Sequence, residues 1–146
     1  MATDRYVVIV GCGRVGAQLA NQLSRAGDSV VVIDLDESTF ANLSAEYSGF
    51  RVSGDATHLA VLREAKLHRA DVLIATTHAD NVNLMVAQVA GCVFKVPRVL
   101  ARVFDPKREQ VYARLGIKTI CPTAVAAELF LQALAEERAN GVPTCG

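Results

Sequence analysis

The sequence has no excess of charge of either sign and no apolar run long enough to span a bilayer. Fifteen basic residues balance fifteen acidic ones, so the formal net charge is zero. Because nucleic-acid-binding domains normally carry a basic face or arm, a nucleic-acid partner is not expected. No apolar stretch approaches the ~20 residues that a membrane helix needs, and no signal-peptide pattern precedes the first apolar segment. We therefore expect a cytoplasmic protein without direct membrane insertion.

Cysteine and histidine are scarce and widely separated. The four cysteines stand at positions 12, 92, 121 and 145, and the three histidines at 58, 68 and 78. No Cys-x-x-Cys or His-x-x-x-His pair occurs, so no metal site is expected. Cys92 and Cys121 are interpreted as small core residues. Cys12 precedes a helix start, where a thiol can become reactive, but its simpler role is that of a spacer between two glycines.

Short β-branched runs alternate with stretches of helical spacing along the whole chain. Six strands are predicted, at 6–10, 29–34, 50–53, 71–75, 98–101 and 117–120. Six strand-helix units predict an α/β fold, a doubly wound parallel Rossmann sheet of six strands with a C-terminal interface helix. One nucleotide-binding domain is expected over residues 1–139, with a flexible tail at 140–146.

Several helix boundaries are predicted from single residues. A second helix is expected to carry an apolar edge of Phe40, Leu43 and Tyr47. Asp80 is expected to cap a long helix that runs to about Cys92. Proline opens the last two helices of the chain, at positions 106 and 122.

The most informative motif is a G-x-G-x-x-G sequence at 11–16, between the first strand and an amphipathic helix. Gly11 can make the tight turn, Gly13 leaves room for a pyrophosphate, and Gly16 lets the helix approach the sheet. Backbone amides and the helix dipole then face the phosphates. Arg14 adds a full positive charge, which suits the terminal phosphate of ATP or ADP more than the internal pyrophosphate of NAD. The alternatives are an ordinary strand-to-helix turn and an exposed arginine.

An acidic residue ends the second strand at a position that suits ribose binding. Asp34 lies eighteen residues after Gly16, where a carboxylate can accept both ribose hydroxyls and would repel the 2′-phosphate of NADP. Asp36 is the rival candidate for this role.

Three further motifs carry a family resemblance. They are Gly54-Asp55-Ala56-Thr57, the Thr-x-x-Asp-x-x-Asn sequence at 77–83, and Ala101-Arg102 near the end of the fifth strand. With Asp34 and the G-x-G-x-x-G sequence at 11–16, here called the glycine turn, they resemble the TrkA N-terminal family, also called the RCK N-lobe or KTN domain, over residues 6–134.

The resemblance implies a regulatory subunit that binds NAD(H), ATP or ADP and gates a membrane-embedded potassium channel or transporter. Such a subunit would associate peripherally with the inner face of the membrane through that partner. The expected site consists of the glycine turn and the positions that match family contacts: Gly11, Cys12, Gly13, Arg14, Val15, Gly16, Asp34, Asp55, Ala56, Thr77, His78 and Arg102.

Individual roles follow from the chemistry of these side chains. Asp55 could accept a hydrogen bond from the adenine amino group, and Arg102 could reach a phosphate or a neighbouring subunit. His78 could equally be an exposed loop histidine.

The sequence departs from the family pattern in two places. Some relatives carry an acidic residue that helps hold a divalent ion just after the proline that opens the last helix, but this chain has Thr123. No metal is therefore expected there. Relatives also commonly continue into a second regulatory lobe, whereas this sequence stops just beyond the last helix. A lone N-lobe is therefore expected, as a natural short subunit or a trimmed fragment, without the ligands of the second lobe.

The last helix is too apolar for one buried face. Between Ala124 and Ala135 the only polar residues are Glu128 and Gln132, whereas a helix on a sheet needs an apolar face of only about 100°. The surplus predicts a homodimer, and larger rings remain open. The expected contact residues are Val125, Phe130, Leu131 and Leu134. The alternative is a helix buried in its own subunit.

An enzyme is not expected. The alternative function, the cofactor domain of an NAD-dependent oxidoreductase, needs a substrate pocket and a proton-transfer group. The sheet occupies nearly the whole chain, and no Tyr-x-x-x-Lys pair occurs. An NAD-sensing transcription factor would need a DNA-binding module, which the sequence lacks.

Overall fold

Six parallel strands form one sheet in a computed structural model that describes residues 4–141. The strand order is β3-β2-β1-β4-β5-β6, which is the doubly wound Rossmann arrangement and confirms the predicted fold class. The strands are β1 Tyr6–Val10, β2 Ser29–Asp34, β3 Phe50–Ser53, β4 Val72–Ala75, β5 Arg98–Arg102 and β6 Lys118–Ile120.

Helices connect the strands and cover the sheet. Five α-helices and three short 3₁₀ helices are present among the described residues. The α-helices are α1 Arg14–Arg25, α2 Leu59–Glu64, α3 Asp80–Cys92, α4 Glu109–Arg114 and α5 Pro122–Asn140. The 3₁₀ helices are Glu37–Asn42, Leu67–Arg69 and Pro106–Arg108. Of the predicted tail at 140–146, Asn140 ends α5, and residues 142–146 lie outside the described residues.

The central strand β1 separates two apolar cores because its side chains alternate between the sheet faces. Val7 and Ile9 pack with α1 on one face. Val8 and Val10 pack with α2 and α3 on the other. Burial on both faces explains why the β1 sequence is continuously apolar rather than alternating.

The register of β1 sets the position of the site. Val10 pairs with Ile33 of β2 on one side and with Ala75 of β4 on the other. The chain leaves β1 and β4 towards opposite halves of the sheet, so a crevice opens where these strands end. In parallel α/β sheets, ligands bind at this switch point.

The predicted second helix is wrong. A 3₁₀ helix ends at Asn42, and Leu43 already has extended backbone angles. The next amide, of Ser44, donates to the Asn21 side chain of α1 instead of continuing a helix. The Tyr47 hydroxyl donates to carbonyl oxygens of β2 and β3, so it anchors a loop to the sheet edge.

Two other residue assignments also need correction. Asp80 does not cap α3: it is the first residue within that helix, and the cap position belongs to Ala79. The Asp80 carboxylate instead accepts hydrogen bonds from the segment after β5. Cys121 is buried as expected, but Cys92 is exposed, because it lies off the face of α3 that turns its residues towards the sheet. As predicted, Pro106 opens the 3₁₀ helix that runs directly into α4, and Pro122 opens α5.

The last helix, α5, is exposed. Every side chain from 123 to 138 is exposed, so α5 is not buried by the residues that the structure describes. Across residues 4–141, no helix combines the length and apolar character required to cross a membrane.

Candidate functional site

A cavity of about 530 Å³ lies at the carboxyl ends of four neighbouring strands. Its walls come from the residues that end or follow β1, β2, β3 and β4, together with the first turn of α3. The lining residues are Val10, Gly11, Gly13, Ile33, Asp34, Leu35, Asp36, Thr39, Gly54, Asp55, Ala56, Thr57, Thr76, Thr77, His78, Ala79 and Val82.

The glycine turn closes one side of the cavity. Gly11 has a φ of +103°, which favours glycine, and its amide donates to Ile33 O at 2.8 Å. A Cβ on Gly16 would lie 1.8 Å from Gly11 O, so only glycine lets α1 start this close to the turn. A Cβ on Gly13 would meet only His78 Nε2, at 3.9 Å. The predicted structural roles of Gly11 and Gly16 are therefore confirmed, and the space above Gly13 is open.

The start of α1 offers hydrogen-bond donors to this open space. Its cap residue, Gly13, has no side chain that could accept from the first amides of the helix. The first helical bond runs from Ala17 N to Gly13 O, so the preceding amides have no acceptor within the helix. Donors of this kind bind anions, and the helix dipole favours negative charge at the same point.

Backbone amides hold the carboxylate of Asp34 at the edge of the cavity. Asp34 Oδ2 accepts from Cys12 N at 2.7 Å, and Oδ1 accepts from Asp36 N at 2.8 Å. Each carboxylate oxygen can accept a further hydrogen bond. The rival Asp36 is used locally, because its Oδ1 accepts from both the amide and the hydroxyl of Ser38. These two bonds lower the pKa of Asp36.

The loop after β3 supplies an ionised carboxylate beside apolar groups. Asp55 Oδ1 accepts from the Thr57 hydroxyl at 2.7 Å and from its amide at 2.9 Å. These hydrogen bonds, with a smaller contribution from His58, lower the pKa of Asp55. Ala56 is buried in the cavity wall, and Leu35 of the neighbouring loop is 74% exposed. This end of the cavity therefore combines apolar surface with a fixed acceptor.

The loop after β4 is held by buried side chains. The Thr76 hydroxyl donates to Val10 O and Gly11 O, at 3.1 and 3.2 Å, and so joins the loop to the glycine turn. The side chain of Asn83, which is fully buried, accepts from Thr77 N and donates to Thr77 O. The cavity wall is therefore fixed by bonds to the end of β1 and to α3.

The structure brings seven of the twelve candidate residues into the cavity wall and places the others around it. The seven are Gly11, Gly13, Asp34, Asp55, Ala56, Thr77 and His78. Cys12 is buried behind the turn, Gly16 packs beneath it, and Arg14 and Val15 are exposed at the start of α1. Arg102 lies outside the lining.

Arg102 supports the cavity wall from below. Its Nη2 donates to Thr77 O at 3.0 Å and also to Thr76 O. Its guanidinium lies over the Phe104 ring, 4.6 Å from the centroid, and burial lowers the pKa of Arg102. Its buried Nε has no hydrogen-bond partner in the described part of the chain.

Sequence reasoning did not assign several lining residues to the site, and it named Asp36 only as a rival to Asp34. The unassigned residues are Val10, Ile33, Leu35, Thr39, Gly54, Thr57, Thr76, Ala79 and Val82. Most lie at a strand end or flank an assigned residue, so their position at the ends of β1 to β4 was the available signal. Val82 falls at an unspecified position of the motif at 77–83, and no local pattern marked Thr39.

The surroundings of Cys12 disfavour the thiolate form of its side chain. The side chain is fully buried, and burial, followed by the nearby charge of Asp34, raises the pKa of the thiol. Since thiolate is the reactive form, the structure favours the spacer role over a redox role.

Cysteine alkylation tests this assignment. In the native protein we expect iodoacetamide to modify Cys12 at least about tenfold more slowly than the exposed Cys92. Peptide mass spectrometry after timed quenching measures both rates, and the urea-unfolded protein provides the control in which the two rates converge. Comparable rates in the native protein would show that Cys12 is accessible.

The sheet order, glycine turn, and carboxylate at the end of β2 define a Rossmann-type nucleotide-binding domain. The family model described as the TrkA-N domain matches residues 7–122. The chain belongs to the TrkA-N domain family, and the resemblance seen in its motifs is confirmed.

Named relatives are consistent with this family. The chain is 41% identical over 129 residues to the Trk system potassium uptake protein TrkA of Streptomyces coelicolor, covering 88% of this chain and 58% of that protein. Among solved structures, the GsuK channel bound to NAD is 27% identical with a TM-score of 0.77, covering 94% of this chain and 24% of that one. GsuK bound to ADP is also 27% identical with a TM-score of 0.77, covering 93% and 36%. The chain thus spans less than two thirds of each.

Proposed function

We propose that the cavity binds an adenine nucleotide, either NAD(H) or ATP/ADP, and that residues 1–139 act as its binding domain. The observation that carries this proposal is the open space above Gly13, which faces the uncapped start of α1. A phosphate in that space would accept hydrogen bonds from backbone amides and lie at the positive end of the helix dipole. The two GsuK structures, one bound to NAD and one bound to ADP, support a nucleotide of this class.

The remaining parts of the nucleotide follow from the neighbouring side chains. The Asp34 carboxylate would accept from the ribose hydroxyls, while its charge would repel the 2′-phosphate of NADP. The apolar surface of Leu35 and Ala56 would contact the adenine ring, and Asp55 would accept from its amino group. His78 adjoins the space proposed for the phosphates.

Two arginines would act in different ways. Arg14 is exposed at the start of α1, so its guanidinium can move towards a terminal phosphate. Arg102 already donates to two carbonyl oxygens of the cavity wall. It would therefore act through the position of that wall, and a direct phosphate contact would require it to give up those bonds.

The domain would act as a regulatory subunit and not as an enzyme. The relative named as a potassium uptake protein and the GsuK channel support a membrane potassium channel or transporter as its partner. This partner would hold the domain at the inner face of the membrane. Nucleotides can shift the regulated equilibrium only if they bind two conformations with different affinity.

A homodimer through α5 would complete the proposed subunit. The side chains of Val125, Phe130, Leu131 and Leu134 are all exposed, so they form an apolar surface that residues 4–141 leave without cover. A second copy would bury this surface most simply. Larger rings could be built from such dimers.

Thermal shift with NAD, NADH, ATP, ADP and NADP tests nucleotide binding. At a concentration about a hundredfold above Kd, a ligand adds about 2.7 kcal/mol of stability, which raises Tm by several degrees. We expect this shift for at least one of the first four compounds, and a smaller shift for NADP than for NAD. Failure of all five to raise Tm would refute the proposal.

The same assay tests the ribose assignment. We expect Asp34→Ala to lose most of the ligand-induced shift, because the sugar hydroxyls lose their acceptor. The matched variant Asp36→Ala should keep most of it, because the Asp36 carboxylate is used by Ser38. Retention of the shift in Asp34→Ala with loss in Asp36→Ala would transfer the role to Asp36.

A further inference from the structure

The first turn of α3 contacts the loop that lines the nucleotide cavity. Asn83, which is fully buried, accepts with Oδ1 from Thr77 N at 2.9 Å and from the Thr77 hydroxyl at 2.7 Å. Its Nδ2 donates to Thr77 O and to Arg102 O, each at 3.0 Å. One carboxamide therefore uses both ends to join the cavity wall to the end of β5.

A second side chain on the same turn makes a parallel connection. Asp80 Oδ1 accepts from Phe104 N at 2.9 Å, and Oδ2 accepts from Asp105 N at 3.4 Å. Residues three apart on a helix share a face, so Asn83 reaches the last residue of β5 and Asp80 reaches the segment that follows it. Arg102 itself donates to the Thr77 carbonyl, so the end of β5 is also bonded directly to the cavity wall.

The segment after β5 is joined in turn to the start of α5. Val103 N donates to Ile120 O at 3.0 Å, and the Cys121 thiol lies 3.7 Å from Phe104 O. Val103 and Cys121 are buried in one small apolar cluster, against which Leu84 of α3 also packs. The next residue, Pro122, begins α5.

These contacts form a short, packed route from the cavity wall to α5. Because α5 is exposed from 123 to 138, its orientation is set by the residues at its start. Packed interiors transmit displacement because they have little free volume to absorb it, and coupling between sites travels through such contiguous contacts. A displacement of Thr77 would therefore also displace Cys121.

We propose that Asn83 and Asp80 are positioning residues that transmit occupancy of the nucleotide cavity to the start of α5. This inference rests on the proposed nucleotide binding and adds a route by which it would act. Removal of either side chain uncouples the start of α5 from the cavity, while the glycine turn can still bind the phosphate.

Amide NMR shifts of the ¹⁵N-labelled full chain test the route, with ADP and NAD added to saturation in separate titrations. The Gly13 amide reports binding, and the Val103 and Cys121 amides report transmission. In the wild-type protein all three shift. In Asn83→Ala at saturation we expect the Val103 and Cys121 shifts to fall at least about twofold, while the Gly13 shift persists.

A matched variant separates transmission from general effects of substitution in α3. Asn81 lies on the same helix but is exposed, so Asn81→Ala should keep all three shifts. Asp80→Ala cuts the parallel connection and should also reduce the two distant shifts. If Asn83→Ala does not fold and gives no dispersed spectrum, Asp80→Ala provides the test of the route.

The possible failures are distinguishable. If Gly13 shifts in the wild-type protein but Val103 and Cys121 do not, the inference is wrong and nucleotide binding stands. Full distant shifts in both Asn83→Ala and Asp80→Ala would overturn it equally. If neither ADP nor NAD moves the Gly13 amide, the proposed function fails and the inference fails with it.

Discussion

A Gly16→Ala variant is expected to lose both folding stability and nucleotide binding. The added Cβ would lie 1.8 Å from Gly11 O and 2.9 Å from Gly11 C. These are backbone atoms, so no side-chain rotation can relieve the clash, and α1 must move away from the sheet. Overpacking of this kind costs about 3 kcal/mol or more, which urea denaturation would measure. The displaced helix would also carry its phosphate-binding amides out of position.

The matched variant Gly13→Ala should separate binding from folding. Gly13 has φ −75° and ψ −159°, angles that alanine adopts, and the nearest atom to its Cβ would be His78 Nε2 at 3.9 Å. We therefore expect stability close to that of the wild-type protein. The methyl group would occupy the proposed phosphate space, so calorimetry should give an affinity lower by about tenfold or more.

The pair of glycine variants has two informative contrary outcomes. A Gly16→Ala protein as stable as the wild type would contradict the described approach of α1 to the turn. A Gly13→Ala protein that binds ADP and NAD with unchanged affinity would remove the phosphate from the space above that glycine.

The second large effect is expected in α5. Phe130 and Leu131 are 72% and 67% exposed, and in the proposed dimer both side chains would be buried by the second copy. A carboxylate introduced at the centre of an apolar interface must be desolvated without a counter-charge. We expect Phe130→Asp or Leu131→Asp to weaken the dimer at least about a hundredfold, in the range of interface hot spots.

Sedimentation equilibrium or light scattering would measure this effect across protein concentrations. Gln132→Asp is the matched control, because it adds the same charge on the polar stripe of the same helix and should leave the dimer intact. Far-UV circular dichroism should be similar for all three variants, since α5 is uncovered in its own subunit. A wild-type monomer, or a dimer that persists in both apolar variants, would refute the interface.

The sequence predicted the parts of the protein that depend on local patterns. Short β-branched runs predicted the six strands, and the G-x-G-x-x-G sequence predicted both the sharp turn at Gly11 and the close approach at Gly16. It was wrong where a local pattern was overruled by more distant contacts. The apolar spacing of Phe40, Leu43 and Tyr47 suggested a helix, but Tyr47 instead bonds to the sheet edge.

Only the tertiary structure decided how the site is supported. Position favoured Asp34 over Asp36 as the ribose acceptor, and the structure adds that Asp34 bonds to the glycine turn whereas Asp36 bonds to Ser38. The sequence around Asp80 predicted a helix cap. Its hydrogen bonds instead join it to residues 24 and 25 positions away, and no pattern in the nearby sequence indicates those partners.

Helix α5 also shows which information lies in the sequence and which lies in the tertiary structure. The sequence of α5 determined that it carries more apolar surface than one sheet can cover, but only the folded chain decided that the described residues leave this surface exposed. Periodicity records which faces of an element avoid water, because neighbouring residues share a helix or strand. Which group meets a given face depends on segments brought together by folding, and that information lies in the packing of the whole domain.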